Sequence, residues 1–133
     1  MTSPFLLSTW SFSEPILESE YPNLSAGCSA LDAVEACVRN AEQDESIDSV
    51  GFGGLPDRNG NCTFDAMVMT SPSSSGAVCG IERHLHPVSI ARLVMEKTNH
   101  TLLAGTLADD FADSHAMESA NILAHTSEQK WES

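Results

Sequence analysis

Basic residues are scarce in this chain: six Lys and Arg stand against 19 Asp and Glu over 133 residues, giving a net charge of -13. Such a surface repels phosphate backbones and anionic headgroups, which excludes nucleic acid and an anionic membrane surface as partners. No apolar run approaches the roughly 20 residues that a spanning helix requires. The start, Met1-Thr2-Ser3-Pro4, has no basic segment followed by an apolar secretory core. It fits a cytosolic protein, or a mature chain whose leader is missing. Cys-x-x-Cys is absent, and no His/Cys grouping has zinc spacing. The glycine-rich stretch Gly51–Gly54 lacks the Lys-Ser/Thr of a phosphate loop and the spacing of a dinucleotide fingerprint, and no Gly-x-Ser-x-Gly elbow occurs. No internal repeat is found. Neither a cofactor nor a metal is expected.

What is present fits one domain. A hydrophobic content of 41% supports a core and argues against wholesale disorder. Residues 4–10 read as a first strand, apolar on both sides. Residues 13–24, with Pro15 and Pro22 among Glu14, Glu18 and Glu20, read as an acidic irregular or weakly helical link. Ser29-Ala30-Leu31-Asp32 opens a helix. Leu31, Val34, Val38 and Ala41 line its apolar face, and Asp32, Glu35, Arg39 and Glu42 its polar one, with Glu35 and Arg39 at ion-pair spacing. Thr63–Thr70 and Gly76–Ile81, joined by a Pro/Ser loop, predict an antiparallel hairpin. Pro87 starts a helix carrying Ile90, Ala91, Val94 and an Arg92/Glu96 pair. Residues 101–104 read as a short strand. Thr106 is expected to cap a further helix carrying Leu107 and Phe111. Four short strands with helices packed on them give an α/β or α+β fold, one sheet face of which is left without a partner.

Several residues invite a chemical reading. Ser49-Val50-Gly51-Phe52-Gly53-Gly54-Leu55-Pro56-Asp57 must turn sharply, or let another group approach its backbone closely. A strand follows at once, so this loop is expected at the mouth of a sheet, where binding loops are often placed. His84 and His86, beside Glu82, are read as a solvated turn in preference to a metal site. Asp109, Asp110 and Asp113 are read as the solvated, dipole-favoured start of a helix. Asp65 is expected to accept backbone N–H bonds from the glycine loop. Cys28, Cys37, Cys62 and Cys79 are read as small buried hydrophobes, the first two in one helix too far apart for a bridge. Asn23-Leu24-Ser25, Asn61-Cys62-Thr63 and Asn99-His100-Thr101 are glycosylation triplets that matter only if the protein enters the secretory pathway.

Four blocks occur in a distinctive order: Thr9-Trp10-Ser11-Phe12; Gly27-Cys28-Ser29-Ala30-Leu31-Asp32-Ala33-Val34-Glu35; Ser49–Asp57 with Phe64-Asp65-Ala66-Met67-Val68-Met69; and Ala91–Glu96 through His100–Gly105. Together, over about residues 4–115, they resemble the N-terminal (α) part of the glycosylasparaginases. These are a branch of the asparaginase/isoaspartyl peptidase group of N-terminal-nucleophile hydrolases. The resemblance implies an αββα sandwich, incomplete in this chain, with residues 1–117 as the α-part and 118–133 as the start of a polar linker. It further implies an amidohydrolase of asparagine side-chain amides, such as N4-(β-N-acetylglucosaminyl)-L-asparagine. An autoproteolytically exposed threonine is the nucleophile there, with its own α-amine as base, on a β-subunit that pairs with the α-part as a heterodimer or (αβ)2. A lysosomal location is implied too, with the cytoplasm as the alternative.

By the same resemblance, Trp10 walls the substrate pocket beside the nucleophile and Phe12 is its neighbouring aromatic. Ser49 holds the precursor loop or the nucleophile, while Gly51, Gly53 and Gly54 shape the loop. The family nucleophile lies in a Thr-x-Gly motif preceded by His-Asp. None of the eight threonines here has that context. No catalytic residue is therefore expected in these 133 residues, and the chain alone is expected to have no amidase activity. Two alternatives stay open: an L-asparaginase or isoaspartyl dipeptidase of the same superfamily, and a non-catalytic remnant that binds a full-length relative.

Overall fold

A computed structural model describes residues 3–133; the Met1-Thr2 start lies outside the described residues. The elements are α1 (Glu14–Ser25), α2 (Ala30–Gln43), β1 (Phe64–Ser71), β2 (Ser74–Ile81), α3 (Pro87–Lys97), β3 (Leu102–Ala104), α4 (Thr106–Ser114) and α5 (His125–Glu132). The fold is α+β. The sheet has the order β1-β2-β3, with β1 and β2 antiparallel and β3 parallel to β2. Three strands are seen among the described residues where the sequence suggests four.

The missing strand is residues 4–10. They pair with no strand and bend at Thr9-Trp10, with Phe5 and Leu7 almost fully exposed. An apolar run becomes a strand only where another edge accepts its hydrogen bonds, and no described strand pairs with it. The link at 13–24 is instead the regular helix α1. Pro15 falls in its first turn, where the missing N–H costs nothing, and Pro22 comes late enough to remove only one internal bond.

The other elements form for reasons visible in the residues. Ser29 caps α2, its Oγ accepting the Asp32 amide at 3.0 Å. The hairpin turns tightly at Pro72-Ser73, and Pro87 begins α3. α4 starts differently from expectation: Gly105, at φ +63°, is its cap, and Thr106 is the first helical residue and makes no cap bond. Its inward face is Ala108, Asp109 and Ala112, while Leu107 points to solvent.

One face of the sheet is filled. Phe64, Val68, Val78 and Ile81 pack against Val88, Ile90, Ala91 and Val94 of α3 and against Ala108 and Ala112 of α4. Ile81, Ile90 and Val94 are fully buried, each contributing about 1.5–3 kcal/mol of transfer free energy. The other face carries Met67, Met69, Ala77, Cys79, Leu102 and Ala104, with Met67 62% and Leu102 54% exposed. Nothing among the described residues covers it.

The polar tail is folded. Ile122 and Ala124 are buried, and Ser127 of α5 donates to the Gly53 carbonyl at 2.8 Å. Among the described residues, no helix is long and apolar enough to cross a membrane.

Candidate functional site

The glycine loop is built by close backbone approach. Gly51 lies at φ +62° directly on α2, and a Cβ there would fall 2.2 Å from the Glu42 carbonyl oxygen. A Cβ on Gly53 would fall 2.4 Å from the Ile47 carbonyl oxygen. Neither position has room for a side chain, and the neighbour in each case is main chain that cannot swing aside. The Gly54 amide closes the turn on the Gly51 carbonyl at 2.9 Å.

This loop rims a cleft of about 580 Å³ between the N-terminal segment, α1, α2 and β1. Phe12, Ser49, Gly51 and Gly54 all line it. Gly53 sits just behind the lining, buried and held by Ser127. Trp10 is outside the lining and 61% exposed, but its ring stacks on Phe12 at 5.8 Å between centroids, 22° from parallel. The indole therefore stands at the cleft rim. Asp65 and Met67 carry the lining onto the open sheet face, so cleft and bare sheet form one continuous surface.

Several expectations are corrected here. The apolar stripe of α2 divides: Leu31 packs against the core, while Val34, Val38 and Ala41 line the cleft, with Val34 45% exposed. On the polar stripe Glu42 is buried and Glu35 largely so, while Asp32 stays half exposed. Arg92 of α3 bonds Asp32 and Glu35, both at 2.6 Å, and Glu96 at 2.8 Å. Glu35 does not pair with Arg39, because Ser89 stands between them and takes a hydrogen bond from Arg39 Nη1 at 2.8 Å while donating to Glu35. These bonds hold the Arg92 guanidinium firmly protonated.

Asp65 accepts a backbone N–H, but from Gly80 on β2 at 2.8 Å, beside the register shift opposite Phe64 and Ala66. It pins the sheet and not the glycine loop. The same carboxylate holds the Cys79 thiol above its ordinary value. Of the cysteines, Cys79 is exposed and the other three are half-buried, all free.

His84 and Asp109 are not solvated. Each is 1% exposed, and His84 bridges Asp109 (Nδ1 to Oδ1, 2.8 Å) and Asp113 (Nε2 to Oδ1, 3.1 Å). Asp109 also accepts the Glu82 and Arg83 amides at 3.0 and 3.1 Å. Arg83 bonds Asp110 and Asp113, drawing the Asp113 carboxyl below its ordinary value. The cluster locks the β2–α3 turn onto α4, and it lies outside the cleft lining.

One residue of the cleft has no signal in the sequence. Glu42, the last acid of the polar stripe, is 4% exposed and sits at the cleft floor. Burial pushes its carboxyl above the ordinary 4.5, against the opposing pull of His86 and the Val88 amide. No group of His, Cys, Asp and Glu among the described residues is arranged to hold a metal ion.

An α+β chain with a sheet bare on one face, and a glycine loop beside a cleft, is the partial hydrolase domain that the four sequence blocks suggest. Residues 8–133 match the family described as Asparaginase, and the chain belongs to that family. It is 44% identical over 128 residues to the N(4)-(Beta-N-acetylglucosaminyl)-L-asparaginase of Elizabethkingia miricola, covering 96% of this chain and 38% of that protein. It is 39% identical over 125 residues to the N(4)-(beta-N-acetylglucosaminyl)-L-asparaginase of Mus musculus, covering 93% of this chain and 36% of that protein. The corresponding Rattus norvegicus protein is 40% identical over 125 residues, with the same two shares. The chain thus spans little more than a third of the length of these relatives.

Proposed function

We propose that this chain supplies one wall of the active site of a glycosylasparaginase-type amidohydrolase, the nucleophile coming from a β-part that covers the open sheet face. The observation that carries the reading is the convergence of Phe12, Ser49, Gly51 and Gly54 on one cleft that runs into uncovered sheet at Met67. Phe12 is far from the glycine loop along the chain, and neither needs the other to complete the core.

In this reading a β-part threonine hydroxyl, its proton taken by the threonine's own α-amine, attacks the side-chain amide carbonyl of a glycosylated asparagine. The C–N bond breaks, the glycosylamine leaves with a proton, and water then releases aspartate from the ester. Trp10, held by its stack on Phe12, walls the pocket beside the nucleophile. Ser49 steadies the nucleophile or the loop before it, and the loop glycines let main chain approach closely. Residues 1–117 form the α-part and 118–133 lead toward the cleavage site, α5 bracing the glycine loop on the way. The assembled enzyme is a heterodimer or (αβ)2 and works in the lysosome.

The test joins this chain, in place of the matching segment, to the remainder of the Elizabethkingia miricola relative. Release of aspartate from N4-(β-N-acetylglucosaminyl)-L-asparagine by that chimera supports the reading. Faster turnover of free asparagine or a β-aspartyl dipeptide moves the substrate to the plain asparaginase branch. A folded, cleaved chimera inactive on all three substrates contradicts it.

A further inference from the structure

We infer that Glu42 is a positioning residue for the glycine loop, and through it for Ser49 at the cleft. The inference rests on the reading of the cleft given above and adds to it a lining residue whose carboxylate is taken up by Val88 and His86.

Glu42 lies in the last turn of α2 with its side chain turned away from solvent. One carboxylate oxygen accepts the Val88 amide at 2.9 Å, and the other faces His86 Nδ1 at 3.2 Å. Val88 is the second residue of α3, so the carboxylate caps that helix from a neighbouring one, at the end where the helix dipole favours negative charge. Two bonds from one side chain thereby fix the main chain of residue 42 against the start of α3. No buried side-chain polar atom among the described residues is left unpaired, the Glu42 carboxylate included.

The same main chain is the surface on which the loop rests. Gly51 sits so close that a Cβ would lie 2.4 Å from the Glu42 Cα as well as 2.2 Å from its carbonyl oxygen. Contact this tight transmits any displacement of residue 42 directly to Gly51. Ser49 is two residues earlier, and Gly54, bonded to Gly51, closes the turn. The chain of contacts runs from the start of α3 through the Glu42 carboxylate and backbone to Gly51 and Ser49. Arg39, one turn back on α2, and His86 are the charged or titratable groups whose fields reach the carboxylate.

Hydrogen exchange of the chain, followed by mass spectrometry in E42A and E42Q, tests this. In E42A, exchange across residues 49–54 is expected to be about tenfold faster, while the β1–β2 hairpin keeps its protection. Glutamine keeps an acceptor for Val88 and a partner for His86, so E42Q should restore the loop. Unchanged loop exchange in E42A overturns the inference. So does equal acceleration of loop and hairpin in both variants, which marks a general loss of stability. In the chimera, E42A is expected to lower kcat about tenfold with KM moved less than about twofold, and E42Q to recover most of the loss. If the parent chimera is inactive while the exchange result holds, the substrate reading fails and the positioning role stands. If the parent chimera is active while loop exchange in E42A is unchanged, the substrate reading stands and the positioning role fails.

Discussion

Substituting alanine at Gly51 combines two costs that neighbouring glycines allow to be measured separately. Gly51 has φ +62°, a conformation that costs an L-residue about 1–2 kcal/mol. Its Cβ would also lie 2.2 Å from a carbonyl oxygen on α2, and forcing atoms into packed main chain costs about 1–3 kcal/mol more. Gly51→Ala should therefore lose about 2–5 kcal/mol. Gly53 has no positive φ, but its Cβ would meet the Ile47 carbonyl oxygen at 2.4 Å, so Gly53→Ala isolates the steric part at about 1–3 kcal/mol. Gly27 has φ +104° with nothing within 4 Å, so Gly27→Ala carries a conformational cost without a steric one. It should cost about 1 kcal/mol, alanine's smaller unfolded-state entropy offsetting some of the strain. Urea unfolding of the three variants, followed by circular dichroism at one fixed protein concentration, gives the differences. The order Gly51→Ala worst and Gly27→Ala mildest is expected. A Gly51→Ala variant within about 0.5 kcal/mol of Gly27→Ala would mean that the loop does not rest on α2.

Other outcomes follow from the buried polar groups and the open surface. Because burial raises the Glu42 carboxyl, the folded chain holds that proton in a window above pH 4.5 where the unfolded chain has lost it; stability therefore falls as pH rises through that window, and a pH series on E42Q should lack this fall. Asp113 has the opposite sign: its carboxyl is lowered by Arg83, so its contribution is present above pH 3.8 and is lost as pH drops below that value, which D113N should flatten in acid titration. Asp109→Ala strands two backbone amides and a buried histidine, and should cost about 3–5 kcal/mol in the same unfolding assay. With one sheet face and part of α2 uncovered, the 133-residue chain alone should self-associate; sedimentation showing a stable monomer at micromolar concentration would contradict that.

Much of the fold is legible in the sequence because local chemistry and tertiary packing agree. Ser29 and Pro87 mark helix starts, Leu31–Ala41 has helical period, and two short apolar runs around Pro72 make the hairpin. Legibility ends where meaning depends on a distant partner. Residues 4–10 look like a strand, but Phe5 and Leu7 find no edge to pair with. Polarity separates the two stripes of α2 but does not name what each meets: Glu35 packs on Arg92, while Val34 and Val38 face the cleft. His84 and Asp109 are 25 residues apart and become a buried pair only when α4 folds back on the β2–α3 turn. The cleft residues Phe12, Ser49, Gly51 and Gly54 are legible through the family blocks. Glu42 is not, since nothing local distinguishes a capping carboxylate from a solvated one.

Cleft and bare sheet together form one seam, which in the proposed enzyme is closed by the remainder of the family fold. Cys79 sits on that bare face with an exposed thiol. Maleimide labelling of the segment 74–81, read by mass spectrometry in dilute, denaturant-free solution, reports directly on whether the face is covered. Ready labelling is expected in the 133-residue chain, and strong protection in the folded chimera. Equal labelling of Cys79 in both would contradict the closed seam.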